Sequence, residues 1–243
     1  MGIDVGGSGF RIGVFDTVSG ELIGPLHQHR HGASTGPADV LGAVHEAIEG
    51  LQWNGPIGLG FPGAVEMNRP ITAPNLGQEW IDVDVAKHLK AHHGGRFAML
   101  NDADAVALAE AQHGVGHSGA SCVLTLTVGT GLGTTVHREG RLVPNLEYGR
   151  LPHPTRGGYL EEHLSGRARS RENLSIELWA KRFQEGLSFL EQRIQPDRII
   201  LYGGLMEHWD EICPLLSTQA DLFPASLRET AGPLGAAMAA QDL

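Results

Sequence analysis

The sequence predicts an α/β protein built from two similar halves, and three observations carry that reading. Ile3-Asp4-Val5-Gly6-Gly7-Ser8-Gly9 near the start and Leu126-Thr127-Val128-Gly129-Thr130-Gly131-Leu132 in the middle share one pattern. Each is an apolar strand, a glycine-rich turn and a second strand (Arg11 to Phe15, and Thr134 to His137). Asp4 and Thr127 hold the same place in the two copies, and a repeat of domain length indicates duplicated lobes rather than a solenoid. No low-complexity linker separates the halves, so they are expected to share a cleft and to be joined by helices.

The elements follow in order. Ile3 to Gly9 and Arg11 to Asp16 read as a hairpin, and Glu21 to His29 as a third strand after the Val18-Ser19-Gly20 turn. Val40, Leu41, Val44, Ala47, Ile48 and Leu51 recur at helical spacing and predict a helix over Ala38 to Leu51. Ile57 to Phe61 is a short buried strand stopped by Pro62-Gly63, Val83 to His92 a helix, and Phe97 to Leu100 a strand ending at Asn101-Asp102. Ala103 to Gln112 is alanine-rich and helical. The order then restarts with strands over Cys122 to Val128, Gly133 to Arg138 and Arg141 to Pro144. Leu174 to Arg193 reads as a long helix with Ser175 as its N-cap and Glu177 in its first turn. A strand over Arg198 to Tyr202 runs into Gly203-Gly204, and Ala231 to Gln241 is a helix of small residues.

At 243 residues the chain holds one large domain or two ordinary lobes, and 41% hydrophobic against 19% charged residues marks it as globular. No apolar run approaches a membrane span and no charged-then-apolar leader precedes the first strand, which predicts a soluble cytoplasmic protein. Cys122 and Cys213 lie far apart, and both read as core thiols rather than ligands. His27, His29 and His31, and His92 with His93, have no carboxylate or cysteine at ligand spacing and read as surface residues. A net charge of −10 argues against general nucleic-acid binding. The charge is uneven: Arg150 to Arg198 carries 9 Lys/Arg against 7 Asp/Glu, which by itself reads as a solvated face with helix ion pairs.

Two glycine turns let backbone N–H groups close on a ligand without Cβ obstruction, and a pair of them suggests a clamp on one polyanion. That points toward phosphoryl transfer. Asp4 beside the first turn is placed to hold a hydrated Mg²⁺ against a phosphate chain, or simply to cap the turn. In Asn101-Asp102-Ala103-Asp104 the capping role suits Asp104 better than Asp102, which leaves Asp102 as a candidate general base. Asn75 and Glu147, in loops bearing proline or glycine, are either polyol-binding or turn-stabilising side chains.

Together these motifs resemble a known family. Asp4-Val5-Gly6-Gly7-Ser8 is similar to the first phosphate motif of the superfamily of sugar kinases, actin and heat-shock chaperones, and Leu126 to Gly133 is similar to its second. Gly60-Phe61-Pro62-Gly63, Asn101-Asp102-Ala103 and Glu147-Tyr148-Gly149 narrow the resemblance to the ROK (repressor, open reading frame, kinase) family. Ala73-Pro74-Asn75-Leu76 followed by Trp80, the segment Ser165 to Ser175, and Pro224 to Arg228 leading to Ala231-Gly232 resemble its polyphosphate glucokinase branch.

The resemblance implies a two-lobed actin-like ATPase (ribonuclease H-like) duplicated fold with an interlobe cleft. It implies an N-terminal lobe over residues 1–105 with the first phosphate motif and the sugar loops. A C-terminal lobe over 106–243 would carry the second motif and a final helix packing back on the first lobe. Asp102 is implied as the base toward the sugar 6-hydroxyl. Gly63 and its loop from Gly60, with Asn75, Asn101 and Glu147, are implied as sugar contacts, and Glu161 or Glu162 as a further one, with Glu161 favoured because it fits the family's Leu-Glu step. Gly6, Gly7, Ser8, Gly9, Thr127, Gly129, Thr130, Gly131, Gly203 and Gly204 would line the path of a phosphoryl donor, polyphosphate or ATP, with Mg²⁺ at Asp4 through water. Arg167, Arg169 and Arg171 gain interest as part of a donor track, since guanidinium forks suit phosphate oxygens.

Two departures stand out. Arg156-Gly157-Gly158-Tyr159-Leu160 replaces the zinc-binding cysteine cluster of most members, so no structural zinc is expected, as in the polyphosphate branch. Arg150 stands where the family pattern Glu-x-Gly-His has a sugar-contacting histidine, and an arginine donates hydrogen bonds but accepts none. The expected activity is a glucokinase using polyphosphate, ATP or both, acting in carbohydrate metabolism as a homodimer. The expected partners are a small-molecule hexose and the donor, without nucleic acid or membrane. The competing reading is a non-catalytic sugar-binding regulator or pseudokinase. Sugar binding without phosphoryl transfer would mark it.

Overall fold

The computed structural model describes residues 1–32, 34–93, 95–116 and 119–241; the side chains of residues 90–93, His92 and His93 among them, lie outside the described residues. By its internal contacts the chain divides into two compact units, Met1–Ala109 with Glu229–Leu243, and Glu110–Arg228.

In the first unit β1 (Gly2–Val5), β2 (Gly9–Asp16) and β3 (Glu21–Arg30) form an antiparallel meander. Helix α1 (Pro37–Gly50) leads to β4 (Ile57–Phe61), which pairs parallel to β1. A small ribbon of β5 (Val65–Glu66) and β6 (Arg69–Pro70) precedes α2 (Val85–His93) and β7 (Phe97–Asn101), and α3 (Asp102–His113) follows β7 without a loop. The second unit repeats this plan: β8 (Cys122–Val128), β9 (Leu132–Arg138) and β10 (Arg141–Val143) form its meander. Then come α4 (Glu161–Leu164), α5 (Gly166–Arg171), α6 (Ile176–Ile194), β11 (Arg198–Tyr202), α7 (Trp209–Ile212) and β12 (Asp221–Pro224). Helix α8 (Ala231–Ala239) belongs to the first unit.

The sheet orders β3-β2-β1-β4-β7 and β10-β9-β8-β11-β12 match strand for strand, so the repeat extends well beyond the two glycine turns. Short elements escaped the sequence reading. Two-residue strands, a four-residue edge strand and helices of one turn are too brief to show a period. Helix α2 begins two residues later than its apolar spacing suggests because Asp84 caps it, accepting from Lys87 N at 2.8 Å.

Helices cover both faces of the first sheet, and the second sheet packs against α6. In the first unit α1 contributes Val40, Leu41, Val44 and Ile48, and Trp80 packs on Phe61 while its Nε1–H donates to Thr35 O at 2.8 Å. Helix α8 lies directly on β1 and β4, where side chains at Gly2 and Gly58 would overlap the carbonyls of Pro233 and Ala236. In the second unit Ser175 caps α6, accepting from Leu178 N at 3.2 Å, and Trp179, Phe183, Leu187 and Leu190 are wholly buried. Cys122 is buried as expected, whereas Cys213 is only half-buried at the end of α7.

Two histidines of the second unit are buried and shifted. His137 in β9 has both ring nitrogens buried without a partner, and burial pushes its pKa below the usual histidine range. His153 is pushed the same way, by burial first and then by His163 and nearby arginines, with Glu185 opposing. Both fold as neutral rings, so below about pH 6.5 the unfolded chain takes up protons that the folded chain refuses. Stability is therefore expected to hold above pH 6.5 and to fall on acidification, by up to about 1.4 kcal/mol per pH unit for each ring. Melting curves from pH 7.5 to 5 check this: His137→Val is expected to flatten the acid limb, and an unchanged slope would contradict the assignment.

Candidate functional site

The first glycine turn is closed by Gly6 N–H donating to Gly9 O at 2.8 Å. His31 braces it from β3's end: its N–H donates to Ser8 O at 3.1 Å, and its Nε2 lies 2.8 Å from Gly6 O. His29 stacks on Phe10 with ring centroids 4.6 Å apart, and His27 Nε2 is buried. These three are therefore built into the fold rather than being plain surface residues. Gly7 and Ser8 face solvent at the tip, and a side chain at Gly7 would sit 3.5 Å from Asn75 Cβ, so Asn75 lies against the turn.

Asp4 does not cap the turn. Its carboxylate meets Arg11 Nη1 at 3.5 Å across the hairpin, where Asp4 and Arg11 are paired in register. A side chain at Gly232 of α8 would come within 2.7 Å of Asp4 Cγ. Burial raises the Asp4 pKa to about 6, against the opposing pull of Arg11. Gly60 at the end of β4 joins this carboxylate to the next: a side chain there would meet Asp4 Oδ1 at 3.5 Å and Asp102 Cα at 3.6 Å.

Asn101, not Asp104, caps α3. Its Oδ1 accepts from Ala103 N at 2.8 Å and Asp104 N at 3.1 Å, the two amides an N-cap serves, while Asp104 is buried in the first turn. Asn101 Nδ2 donates to Gly63 O at 3.1 Å, tying the buried Gly63 loop to the strand end. Asp102 Oδ1 accepts from Ala103 N at 2.8 Å, which orients its carboxylate. The first unit thus gathers Asp4, Gly60, Gly63, Asn101 and Asp102 at adjoining strand ends, with Asn75 beside the turn.

In the second unit Gly129 N donates to Gly131 O at 3.1 Å, and Gly129 O accepts from Arg167 N at 3.3 Å, which docks α5 on the turn. Thr127 is half-buried and Thr130 exposed. Gly203 has φ 125° and any side chain there would overlap Val128 O, so both conformation and space demand glycine; Gly204 opens to solvent. Arg171 is engaged, donating to Glu162 O and Glu172 Oε1 at 2.9 Å each, and Arg169 Nε is buried without a hydrogen-bond partner among the described residues.

Glu147, Arg150 and Glu161 form a cluster. Arg150 Nε lies 3.8 Å from Glu147 Oε2 and 3.9 Å from Glu161 Oε1. A side chain at Gly131 would meet Glu161 Oε2 at 3.0 Å, so the cluster adjoins the second glycine turn. The Glu147 pKa is raised, chiefly by burial, with Arg150 opposing and Glu161 adding to the shift. The intervening segment is held by His153, whose Nδ1 accepts from Thr155 N and Arg156 N, and by Arg156 Nε donating to Glu185 Oε2 at 2.9 Å.

The sequence reading missed Arg11, His31, His153 and Gly232 as supports. Arg11 was recoverable by writing the hairpin in register across the turn; the others come from distant segments. Among the described residues no three His, Cys, Asp or Glu side chains gather in a metal-binding group, and no helix is long and apolar enough to cross a membrane.

The model of the ROK family matches residues 1–146. The chain is 37% identical over 240 residues to the polyphosphate glucokinase of Mycobacterium tuberculosis, covering 98% of this chain and 90% of that one. Its structure is similar to the inorganic polyphosphate/ATP-glucomannokinase of Arthrobacter sp. strain KM, with a TM-score of 0.92, 34% identity, and 98% and 96% of the two chains covered. A ROK family glucokinase from Streptomyces griseus, in complex with glucose and AMPPNP, shares the fold at a TM-score of 0.83 and 20% identity over 100% and 99% of the chains. The fold is the duplicated, actin-like α/β fold, and the chain belongs to the ROK family, within its polyphosphate glucokinase branch.

Proposed function

We propose that the protein transfers a phosphoryl group to the 6-hydroxyl of glucose or a closely related hexose, with polyphosphate, ATP or both as donor. The hexose-kinase type follows from the branch to which the chain belongs. The observation that carries the finer reading is the meeting of Asp4 and Asp102 around Gly60, beside a glycine turn with exposed backbone.

In this reading Asp102 accepts the proton of the 6-hydroxyl as that oxygen attacks phosphorus. The bond from phosphorus to the donor's bridging oxygen breaks, and the donor leaves one phosphoryl group shorter. Most of the acceleration comes from positioning and charge stabilisation. Asn75, Asn101 and the Gly63 loop, and by family resemblance Glu147, Arg150 and Glu161, are assigned as sugar contacts. Gly6 to Gly9, and Gly129 to Gly131 with Gly203 and Gly204, offer backbone N–H groups to the donor.

A magnesium ion fits this donor set. Mg²⁺ keeps several waters and needs few protein ligands, and the lone, largely buried Asp4 carboxylate suits an ion that arrives on phosphates. Asp4 would hold it through water, and the bound ion supplies neutralisation of phosphate charge. The same reading puts the enzyme in the cytoplasm and, by family resemblance, in a homodimer.

A donor-by-acceptor matrix on the purified protein tests the proposal. With Mg²⁺ present, polyphosphate and ATP are each combined with glucose, mannose and glucosamine, and sugar phosphate is measured. Glucose 6-phosphate is expected with at least one donor. Absence of product in every pairing would refute it.

A further inference from the structure

We infer that His153 is a positioning residue: its neutral imidazole holds the segment 153–163, with Glu161 of α4, in the shape that takes the hexose, and acid releases it. The inference rests on the sugar-kinase reading above, in which Glu161 is a sugar contact. His153 Nδ1 accepts from two backbone amides, Thr155 N at 3.3 Å and Arg156 N at 3.2 Å, and its own N–H donates to Gly158 O at 2.9 Å. The ring thus sits at the centre of a closed turn. A bridge between Pro152 and Tyr159, and Leu160 N donating to Leu151 O at 2.9 Å, extend the closure to the start of α4, whose first residue is Glu161.

An imidazole nitrogen that accepts carries no proton, so the proton of the neutral ring lies on Nε2. That atom is buried without a hydrogen-bond partner among the described residues, and His153 is only 5% exposed. A second proton has to enter at Nδ1, where two N–H groups already point. Protonation and the closed turn therefore exclude each other. The surroundings act mostly the same way. His163 of α4 packs edge-on, with ring centroids 4.9 Å apart, and its Nε2 lies 2.8 Å from Gly157 O. Arg156 of the turn and Arg182 of α6 add positive charge. Glu185 of α6 opposes them, but both its oxygens are engaged: Oε1 by Arg156 Nη2 at 2.5 Å, and Oε2 by Arg156 Nε at 2.9 Å and Thr155 Oγ1 at 3.2 Å. Burial first, then these cations, push the His153 pKa below the usual histidine range. The released turn takes up its proton near pH 6.5, so the closed form is fully favoured above that value and loses ground below it, by up to about 10-fold per pH unit.

Three proteins test the inference between pH 7.5 and 5.5: wild type, His153→Asn and His153→Ala. The Asn amide oxygen stands one bond from Cγ, as Nδ1 does, and accepts N–H groups without titrating. The readouts are kcat, KM and calorimetric affinity for glucose, and amide hydrogen exchange of peptides covering 153–160, corrected for its intrinsic pH dependence. His153→Ala is expected to raise KM by roughly 10-fold at every pH, with kcat less affected, through the loss of two hydrogen bonds. His153→Asn is expected to restore KM to near the wild-type value at pH 7.5. At pH 5.5 its KM is expected to lie about 3- to 10-fold below that of wild type. Asp4 and Glu147 titrate alike in all three proteins, so this ratio isolates His153. Exchange over 153–160 is expected to rise on acidification in wild type and not in His153→Asn. An equal pH dependence of KM in wild type and His153→Asn would overturn the inference, as would acid-induced exchange that leaves glucose affinity unchanged. Exchange and glucose affinity that both follow His153, without phosphoryl transfer from any donor, would refute the kinase reading and leave the role of His153 standing.

Discussion

Asp102→Asn is expected to lower kcat by roughly 10²- to 10⁴-fold while hexose binding stays within a few-fold of wild type. The substitution keeps shape and removes only the proton acceptor. The Asn amide oxygen can still accept from Ala103 N, as Asp102 Oδ1 does at 2.8 Å. The helix cap is untouched, because Asn101 supplies it. Fold and sugar affinity are therefore expected to stay close to wild type, in which case the lost rate is assignable to proton transfer. The check has three readings: a coupled assay for kcat, calorimetry for the sugar, and a melting curve. Turnover within a few-fold of wild type would remove Asp102 as base. A large fall in melting temperature would instead show that the carboxylate is structural.

The second large effect concerns stability. Gly58→Ala is expected to cost about 3 kcal/mol, the upper end for overpacking, because the added methyl would overlap the Ala236 carbonyl of α8. Backbone cannot swing aside as a flexible side chain does, and α8 has no room to move. Its residues Ala231 to Met238 are all buried, and Gly235 leaves no gap against Ala105. For a chain of this size the melting temperature is expected to fall by about 6–12 °C. The loss reaches function too, since Gly232 on the same helix packs against the Asp4 carboxylate. Gly42→Ala provides the contrast. A side chain there meets nothing within 4 Å, and alanine is favoured over glycine inside α1, so a gain of up to about 1 kcal/mol is expected. The same substitution is thus expected to have opposite signs at two helix- or strand-interior positions. Equal effects would mean that α8 does not pack on β4 as described.

Much of the site was legible because its signals are local. The glycine turns announce themselves by composition, and Asn101-Asp102 by lying between a strand and a helix. The capping assignment failed at Asp104 because Asn101, three residues earlier, holds the N-cap position, a matter of backbone register. Asp84 shows the converse, a local cap that displaced the start read from apolar spacing. Arg150 and Glu147 are three residues apart, so their pairing needs only a turn. Glu161 joins them through the intervening His153 and Arg156–Glu185 contacts, which no period in the sequence encodes.

By itself the sequence determined the two-fold repeat of strand and glycine turn, the helix and strand types of the long elements, and the residue chemistry of both glycine turns. Those follow from side-chain periodicity and backbone freedom, which act over a few residues. Tertiary structure alone decided that α8 returns to seat Gly232 on Asp4, that Gly60 brings Asp4 and Asp102 together, and that Glu161 meets Arg150. Each of these depends on close packing between segments distant along the chain, where a single added methyl or carboxylate changes the outcome.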